Sequence, residues 1–216
     1  MTNDEQPNES EDELRRRAEE SFNTGATAFR RGDCSEALSS FENALVLYQG
    51  VTDAERDQAD CLSNSGVALG ESGDLRGALE RFDQALAFYQ GLPGTERDQA
   101  SCLYNSGIAL RKSGDLRGAL ERYERALALY RGIPGAERDQ ASCLYNSGIA
   151  LGESGDWRGA LERYERALAL HRKLPGTERN QANCLYNSGN ALRSLGDSRG
   201  ALERYERALA LHRKLP

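Results

Sequence analysis

The chain has 216 residues, with 28 Lys and Arg against 34 Asp and Glu, for a net charge of −6. The acidic excess lies in residues 1–14, which hold Asp4, Glu5, Glu9, Glu11, Asp12 and Glu13 and no basic residue, so the remainder is neutral. A neutral body disfavours nucleic-acid binding, which needs surplus Lys and Arg against phosphate, and no run approaches the roughly 18 apolar residues of a membrane span.

Taken in chain order, residues 1–10 (MTNDEQPNES) lack core-forming side chains and are expected to form a disordered acidic tail. No apolar signal region opens the chain. With five cysteines and no export signal, a reducing cytoplasm is the expected setting. The first helical segment carries a polar set, Arg15, Arg16, Arg17, Glu19 and Glu20, suited to the end of an array. Arg31-Gly32-Asp33 then reads as an inter-helix turn. From there a period governs the chain. CLSNSG stands at 61–66, and CLYNSG at 102–107, 143–148 and 184–189, an interval of 41 residues. Residues 94–134 and 135–175 differ at only seven positions. Fixed self-similarity of this length signals a stacked array. One array is expected over 11–216, with repeats at about 11–52, 53–93, 94–134, 135–175 and 176–216.

Each repeat reads as two helices. In the third, TERDQASCLYNSGIALRKS forms helix A, Gly114-Asp115 ends it and caps the next, and LRGALERYERALALYRG forms helix B before Pro134. Leu103, Ser106, Gly107 and Leu110 make one stripe, and Leu116, Ala119, Leu120, Tyr123, Ala126 and Leu127 another. Gly107 and Ala119 are small enough for the helices to approach closely. No repeat has an alternating β-branched run, so no sheet is expected. Glu121→Arg125, Glu162→Arg166 and Glu203→Arg207 are expected as i,i+4 ion pairs on a solvated face.

These residues resemble the tetratricopeptide repeat. LYNSGIALRKSGDLRGALERYERALAL shows that family's order of small and aromatic positions in Gly107, Gly114-Asp115, Ala119, Tyr123 and Ala126, and all five repeats carry it. Two departures stand out. Thr24, Ser65, Ser106, Ser147 and Ser188 replace a large apolar residue, and the period is 41 rather than about 34. Longer repeats of this kind are similar to those of kinesin light chains and related cargo or polarity adaptors. The resemblance implies an all-α fold, a right-handed α-solenoid of five antiparallel helix pairs. It also implies A helices lining a concave groove, B helices outside, and function by peptide or protein recognition.

On that footing Cys61, Cys102, Cys143 and Cys184 are buried thiols between repeats, too far apart for disulfides, and Cys34 takes the packing place of Leu116. Asn23, Asn64, Asn105, Asn146 and Asn187 would form a ladder of amides along the groove. An amide can bond a peptide's N–H and C=O without reading its side chains. The competing reading is that each Asn bonds a neighbouring helix end and fixes repeat stacking. Around the ladder Tyr104, Tyr145, Tyr186, Ile108, Ile149, Asn190, Arg111 and Arg193 vary, with charge alternating in sign by repeat. They suit a partner segment of mixed charge with apolar side chains.

Catalysis, metals and cofactors find no footing. There is no Ser/His/acid or Cys/His set, no CxxC, and only His171 and His212 exist, both at helix B ends. The GDLRG pattern lacks the P-loop ending. The rival function is self-association. Leu202 and Leu209 carry stacking positions of the last repeat, so a homo-oligomer through that repeat, or a longer array, would cover them. The array could equally be the sensor part of a larger signalling protein.

Overall fold

Local chemistry sets where each helix starts and stops. At residue 114 the backbone turns left-handed (φ +91°), a conformation glycine adopts without a Cβ clash. Asp115 then accepts a hydrogen bond from the Gly118 N–H at 2.9 Å and starts the next helix. Asp33, Asp74, Asp156 and Asp197 cap the other B helices in the same way.

The computed structural model of the chain describes residues 10–215. Among these are ten helices and no strand: α1 (Glu11–Arg30), α2 (Cys34–Tyr48), α3 (Glu55–Ser72), α4 (Leu75–Gln90), α5 (Glu96–Lys112), α6 (Leu116–Arg131), α7 (Glu137–Glu153), α8 (Trp157–His171), α9 (Glu178–Ser194) and α10 (Ser198–His212). The fold is all-α, as expected. The acidic tail lies outside the described residues except for Ser10, whose hydroxyl caps α1 by accepting from the Glu13 N–H. No helix among the described residues is long and apolar enough to cross a membrane.

The chain divides into two compact units. The first holds hairpins α1–α2 and α3–α4, packed through α2 and α3. The second holds α5–α6, α7–α8 and α9–α10, stacked in that order. Within the second unit the A helices adjoin through Arg97 and Asp139, 2.9 Å apart on α5 and α7. The B helices adjoin through Arg163–Glu124 at 2.6 Å and Arg204–Glu165 at 2.7 Å. The first unit repeats the latter device with Arg81–Glu42 at 2.6 Å. Such part-exposed pairs set register more than they stabilise, at about 0–1 kcal/mol each.

Each hairpin closes on a glycine. A Cβ on Gly107 would stand 2.5 Å from Cε1 of Tyr123, whose ring is fully buried. Gly25, Gly66, Gly148 and Gly189 meet Phe41, Phe82, Tyr164 and Tyr205 in the same way. The serine beside that glycine also has a use. Ser106 and Ser147 are 1% exposed, and their hydroxyls donate to the Cys102 and Cys143 carbonyls at 2.8 Å. A small side chain that satisfies itself on its own helix leaves room for the neighbouring layer. Cys61, Cys102, Cys143 and Cys184 are buried and reduced, while Cys34 is half-buried at the first position of α2.

One expectation needs correction. Arg166 and Glu162 do pair, at 3.6 Å, but Glu121 and Glu203 accept instead from the arginines one turn earlier, Arg117 at 3.3 Å and Arg199 at 3.5 Å. Both choices are i,i+4 on an exposed face, and the order found at 117–121 and 199–203, arginine before glutamate, is the less favoured one on an isolated helix.

Gly107→Ala should cost about 1–3 kcal/mol, because the buried Tyr123 ring cannot swing away. Urea unfolding followed by circular dichroism measures it. A loss under about 0.5 kcal/mol would mean that the ring yields and the contact does not set the crossing.

Candidate functional site

The A helices of the second unit bring the sequence-predicted residues together. On α7, Asn146 donates through Nδ2 to the Tyr104 hydroxyl of α5 at 2.9 Å, and to the Ser142 carbonyl one turn back at 3.0 Å. On α9, Asn187 donates to the Tyr145 hydroxyl at 2.7 Å. The amide of one repeat thus holds the phenol of the repeat before it. In the first unit Asn64 donates to the Asp60 carbonyl of its own helix at 2.8 Å. At 146 and 187 the amide is engaged inside the protein, on a tyrosine hydroxyl of the preceding A helix rather than on a helix end.

The tyrosines are fixed from the other side too. Tyr104 and Tyr145 tilt against Tyr123 and Tyr164, with ring centroids 5.9 and 5.7 Å apart. Burial pushes the Tyr104 hydroxyl up to about 12 and raises Tyr145, so both stay protonated at neutral pH. Each accepts from an asparagine and keeps its own O–H to donate. Tyr186, the next in the series, is 55% exposed.

Charge in the same region partly cancels internally. Arg111 of α5 reaches Glu153 of α7 at 2.8 Å, with the arginine side chain 22% exposed. The alternating signs expected from sequence therefore act here as a joint between repeats. Arg193 is exposed. Asn190 accepts from the Tyr205 hydroxyl at 2.8 Å and donates weakly to Asn187 at 3.4 Å.

Two hollows result. The larger, about 470 Å³, is lined by Ile149, Gly152, Glu153, Trp157, Tyr186 and Arg193, with Asn187 and Asn190 among its remaining walls. The smaller, about 230 Å³, gathers Tyr104, Tyr145, Asn146, Ser142 and His171. Other predicted residues stand apart from these. Asn23 is exposed on α1 and borders a shallow hollow of about 320 Å³ with Thr24, Thr27, Arg31 and Glu36. Asn105 and Ile108 are half-buried on α5. On α10, Leu202 and Leu209 are 57% and 50% exposed, whereas Leu168, the counterpart of Leu209 on α8, is 1% exposed.

Sequence reasoning missed His171 and Trp157 as cavity walls. Both stand among the seven differences between the third and fourth repeats, facing Tyr130 and Leu116 in the copy before. That was the signal available. Among the described residues no group of His, Cys, Asp or Glu could hold a metal ion. Desolvation pushes Cys61, Cys143 and Cys184 up to about 12, far from the range of reactive thiols.

A thiol near 12 is about one part in ten thousand thiolate at pH 8, rising tenfold per pH unit. Iodoacetamide on the native chain at pH 8 should therefore label Cys34 first, giving one adduct by intact mass, and all five cysteines in urea. Equal native labelling of Cys143 would contradict its burial.

Comparison with known proteins places this geometry. The family model described as Tetratricopeptide repeat matches residues 18–91, 58–132, 98–173 and 139–214. Among solved structures the chain is similar to BtubC (BKLC) from P. vanneervenii, at 21% identity and TM-score 0.79 over 94% of this chain and 89% of that one. It is similar to a kinesin light chain-like protein with nearly identical TPR-like repeats from Podosopora anserina, at 18% identity and TM-score 0.75, covering 96% and 98%. The apo form of RapI aligns at 18% identity and TM-score 0.84, covering 91% of this chain and 70% of that one. At these identities the likeness is one of fold. A comparison with curated proteins finds no similar sequence.

Proposed function

The chain belongs to the tetratricopeptide repeat family, and we propose that it is a non-catalytic, cytoplasmic interaction scaffold that binds an extended peptide segment of a partner protein on its A helices. The observation that carries this is the hollow between α7 and α9. It combines an exposed aromatic ring at Tyr186, apolar surface at Ile149 and Trp157, an amide at Asn190, and opposite charges at Arg193 and Glu153. Aromatic and arginine side chains beside apolar surface are the usual anchors of binding energy. The mixed signs match a segment of mixed charge with apolar side chains. In this reading Asn105, Asn146 and Asn187 contribute mainly as joints that hold the helices in register, with Tyr104, Ile108, Tyr145 and Arg111 as their supports. Ligand contact falls to Tyr186, Asn190, Arg193 and Ile149. No cofactor is required.

A peptide display library panned on the full chain provides ligands with which to test this. Tyr186→Ala with Arg193→Ala should weaken the selected peptides about 30-fold or more, the scale of a lost anchor. Both side chains are exposed, so the fold should survive, as circular dichroism can verify. Unchanged affinity in the double variant would overturn the assignment.

Self-association is a second reading, favoured by one observation. Leu209 is open, while its counterparts Leu127 and Leu168 are sealed at 1%. A second copy covering α10 would seal it. A head-to-tail joint would lack one register device, because Ser40 stands on α2 where Arg81 and Arg163 stand on later B helices. The favoured pairing is therefore α10 against α10. Light scattering at tens of micromolar should then show a dimer that Leu209→Glu abolishes, and a monomer at that concentration would remove this reading.

A further inference from the structure

We propose that α9 and α10 dock a helix of a partner protein, one that carries a carboxylate, a carboxamide and a second carboxylate on one face at intervals of about two helical turns. This goes beyond the groove reading above. The surface shares Tyr186 and Arg193 with that hollow and adds Arg179, which does not line it.

The third and fourth repeats contain the template. Along α5, Arg97, Tyr104 and Arg111 follow one another at seven residues and so share a face. Along α7, Asp139, Asn146 and Glu153 do the same. The two stripes meet rung for rung. Arg97 pairs with Asp139 at 2.9 Å, the Tyr104 hydroxyl accepts from Asn146 at 2.9 Å, and Arg111 pairs with Glu153 at 2.8 Å. Beside these rungs α7 packs along α6, whose Leu127 is 1% exposed. A helix lying against a hairpin thus combines packing on helix B with three polar rungs on helix A.

The last hairpin repeats the first stripe. Arg179, Tyr186 and Arg193 stand on α9 at the positions of Arg97, Tyr104 and Arg111. Both arginines and Tyr186 are exposed, and among the described residues neither arginine has a carboxylate partner. On α10, Leu209 stands at the position of Leu127 and is 50% exposed. The pattern is not shared by every repeat. On α7 the same positions are Arg138, Tyr145 and Gly152, and α9 meets them with Asn180, Asn187 and Ser194, which make the middle rung, Asn187 to Tyr145.

Charge selects the occupant. Two arginines flanking a phenol oxygen call for two carboxylates flanking an N–H donor. A second copy does not offer that set. Its matching stripes, Asp57–Asn64–Glu71 on α3 and Asp139–Asn146–Glu153 on α7, are engaged within the chain, with Asp57 3.7 Å from Arg15 of α1 and Asp139 on Arg97. Its first helix, placed head to tail, would present Arg16, Asn23 and Arg30, setting arginine against Arg179 and Arg193. Like charges so placed repel. The occupant is therefore a helix of a different protein.

The test uses the full chain and a peptide copy of residues 136–155 with Cys143→Ser, stapled to keep it helical. Fluorescence anisotropy should show saturable binding at about 100 μM or tighter. Reversing both peptide charges, Asp139→Arg with Glu153→Arg, should weaken it about tenfold or more. Arg179→Glu in the chain should weaken the unreversed peptide, and a peptide with Asp139→Arg alone should regain affinity for that variant. Arg97 is intact there, so the rescue places the peptide on α9 rather than on α5. No binding, equal binding of the charge-reversed peptide, or no rescue would overturn the proposal. A dimer in light scattering that excludes the peptide would also overturn it, giving the face to a second copy. Peptides selected by display separate this surface from the groove. If Tyr186→Ala with Arg193→Ala weakens them while the α7 peptide does not bind, the groove stands and the helix site falls. If the rescue at Arg179 is seen but the selected peptides ignore that double variant, the helix site stands and the groove falls.

Discussion

The structure depends on one close approach, that of a helix A glycine to a helix B aromatic ring. No Cβ fits between Gly107 and Tyr123, and the same holds at four further pairs. That contact fixes where each hairpin crosses and hence which side of helix A turns inward. Once it is set, the rest of CLYNSG has an assigned place. Leu103 packs under the ring's helix, Cys102 and Ser106 face the neighbouring layer, and Tyr104 and Asn105 remain on the other side. A helix has only 3.6 residues per turn, so six consecutive positions cover every direction. A motif that length can therefore serve both core and surface.

The pair on that other side has a structural task of its own. An asparagine N–H and a phenol oxygen meet across adjacent repeats at 146 with 104 and at 187 with 145. A net bond of about 0.5–1.5 kcal/mol is modest. Its value lies in direction, because it ties one A helix to the next on the side away from the core, where apolar packing does not reach. The same bond leaves each tyrosine O–H free of the asparagine, because the phenol oxygen is the acceptor. The A-helix surface of the second unit is consequently pre-set before any partner arrives, which reduces the ordering cost of binding.

Helix positions, turn residues and the buried cysteines were legible from sequence because each rests on a strong local rule: capping aspartate, left-handed glycine, and apolar stripes at helical spacing. Site residues were legible only as a face. Period and phase put Asn146 on the side of α7 away from the buried Leu144, but the bond its amide makes to Tyr104 at 2.9 Å depends on how two helices distant in sequence pack. The Arg117–Glu121 choice failed for a related reason: two arginines lie within reach of one carboxylate, and nothing in spacing ranks them. His171 stands at the end of a helix B, as His212 does, so its position alone does not mark it. Its meaning came from contrast with Tyr130, and from the space that a smaller ring leaves behind.

That contrast extends to the whole of the fourth repeat. At four of the seven positions where it departs from the third, Gly152, Glu153, Trp157 and His171 replace Arg111, Lys112, Leu116 and Tyr130. All four replacements line one of the two hollows. Gly152 and Trp157 are coupled, since a Cβ on the glycine would come within 3.1 Å of the indole. A long arginine at 152 would fill the space that is now open. Glu153 in turn meets the arginine kept by the third repeat, Arg111. Four of the seven changes therefore fall on cavity walls; the other three, Ala136, Lys173 and Leu174 in place of Thr95, Gly132 and Ile133, lie in the turns between helices. The four on cavity walls change size or charge at one end of helix A and the two ends of helix B, while every residue of the glycine–aromatic crossing is retained. A repeat array can hold its stacking contacts constant and vary cavity walls independently, because the two sets lie on different sides of the same helices. Most of the differences between these two near-identical repeats thus fall on the two hollows.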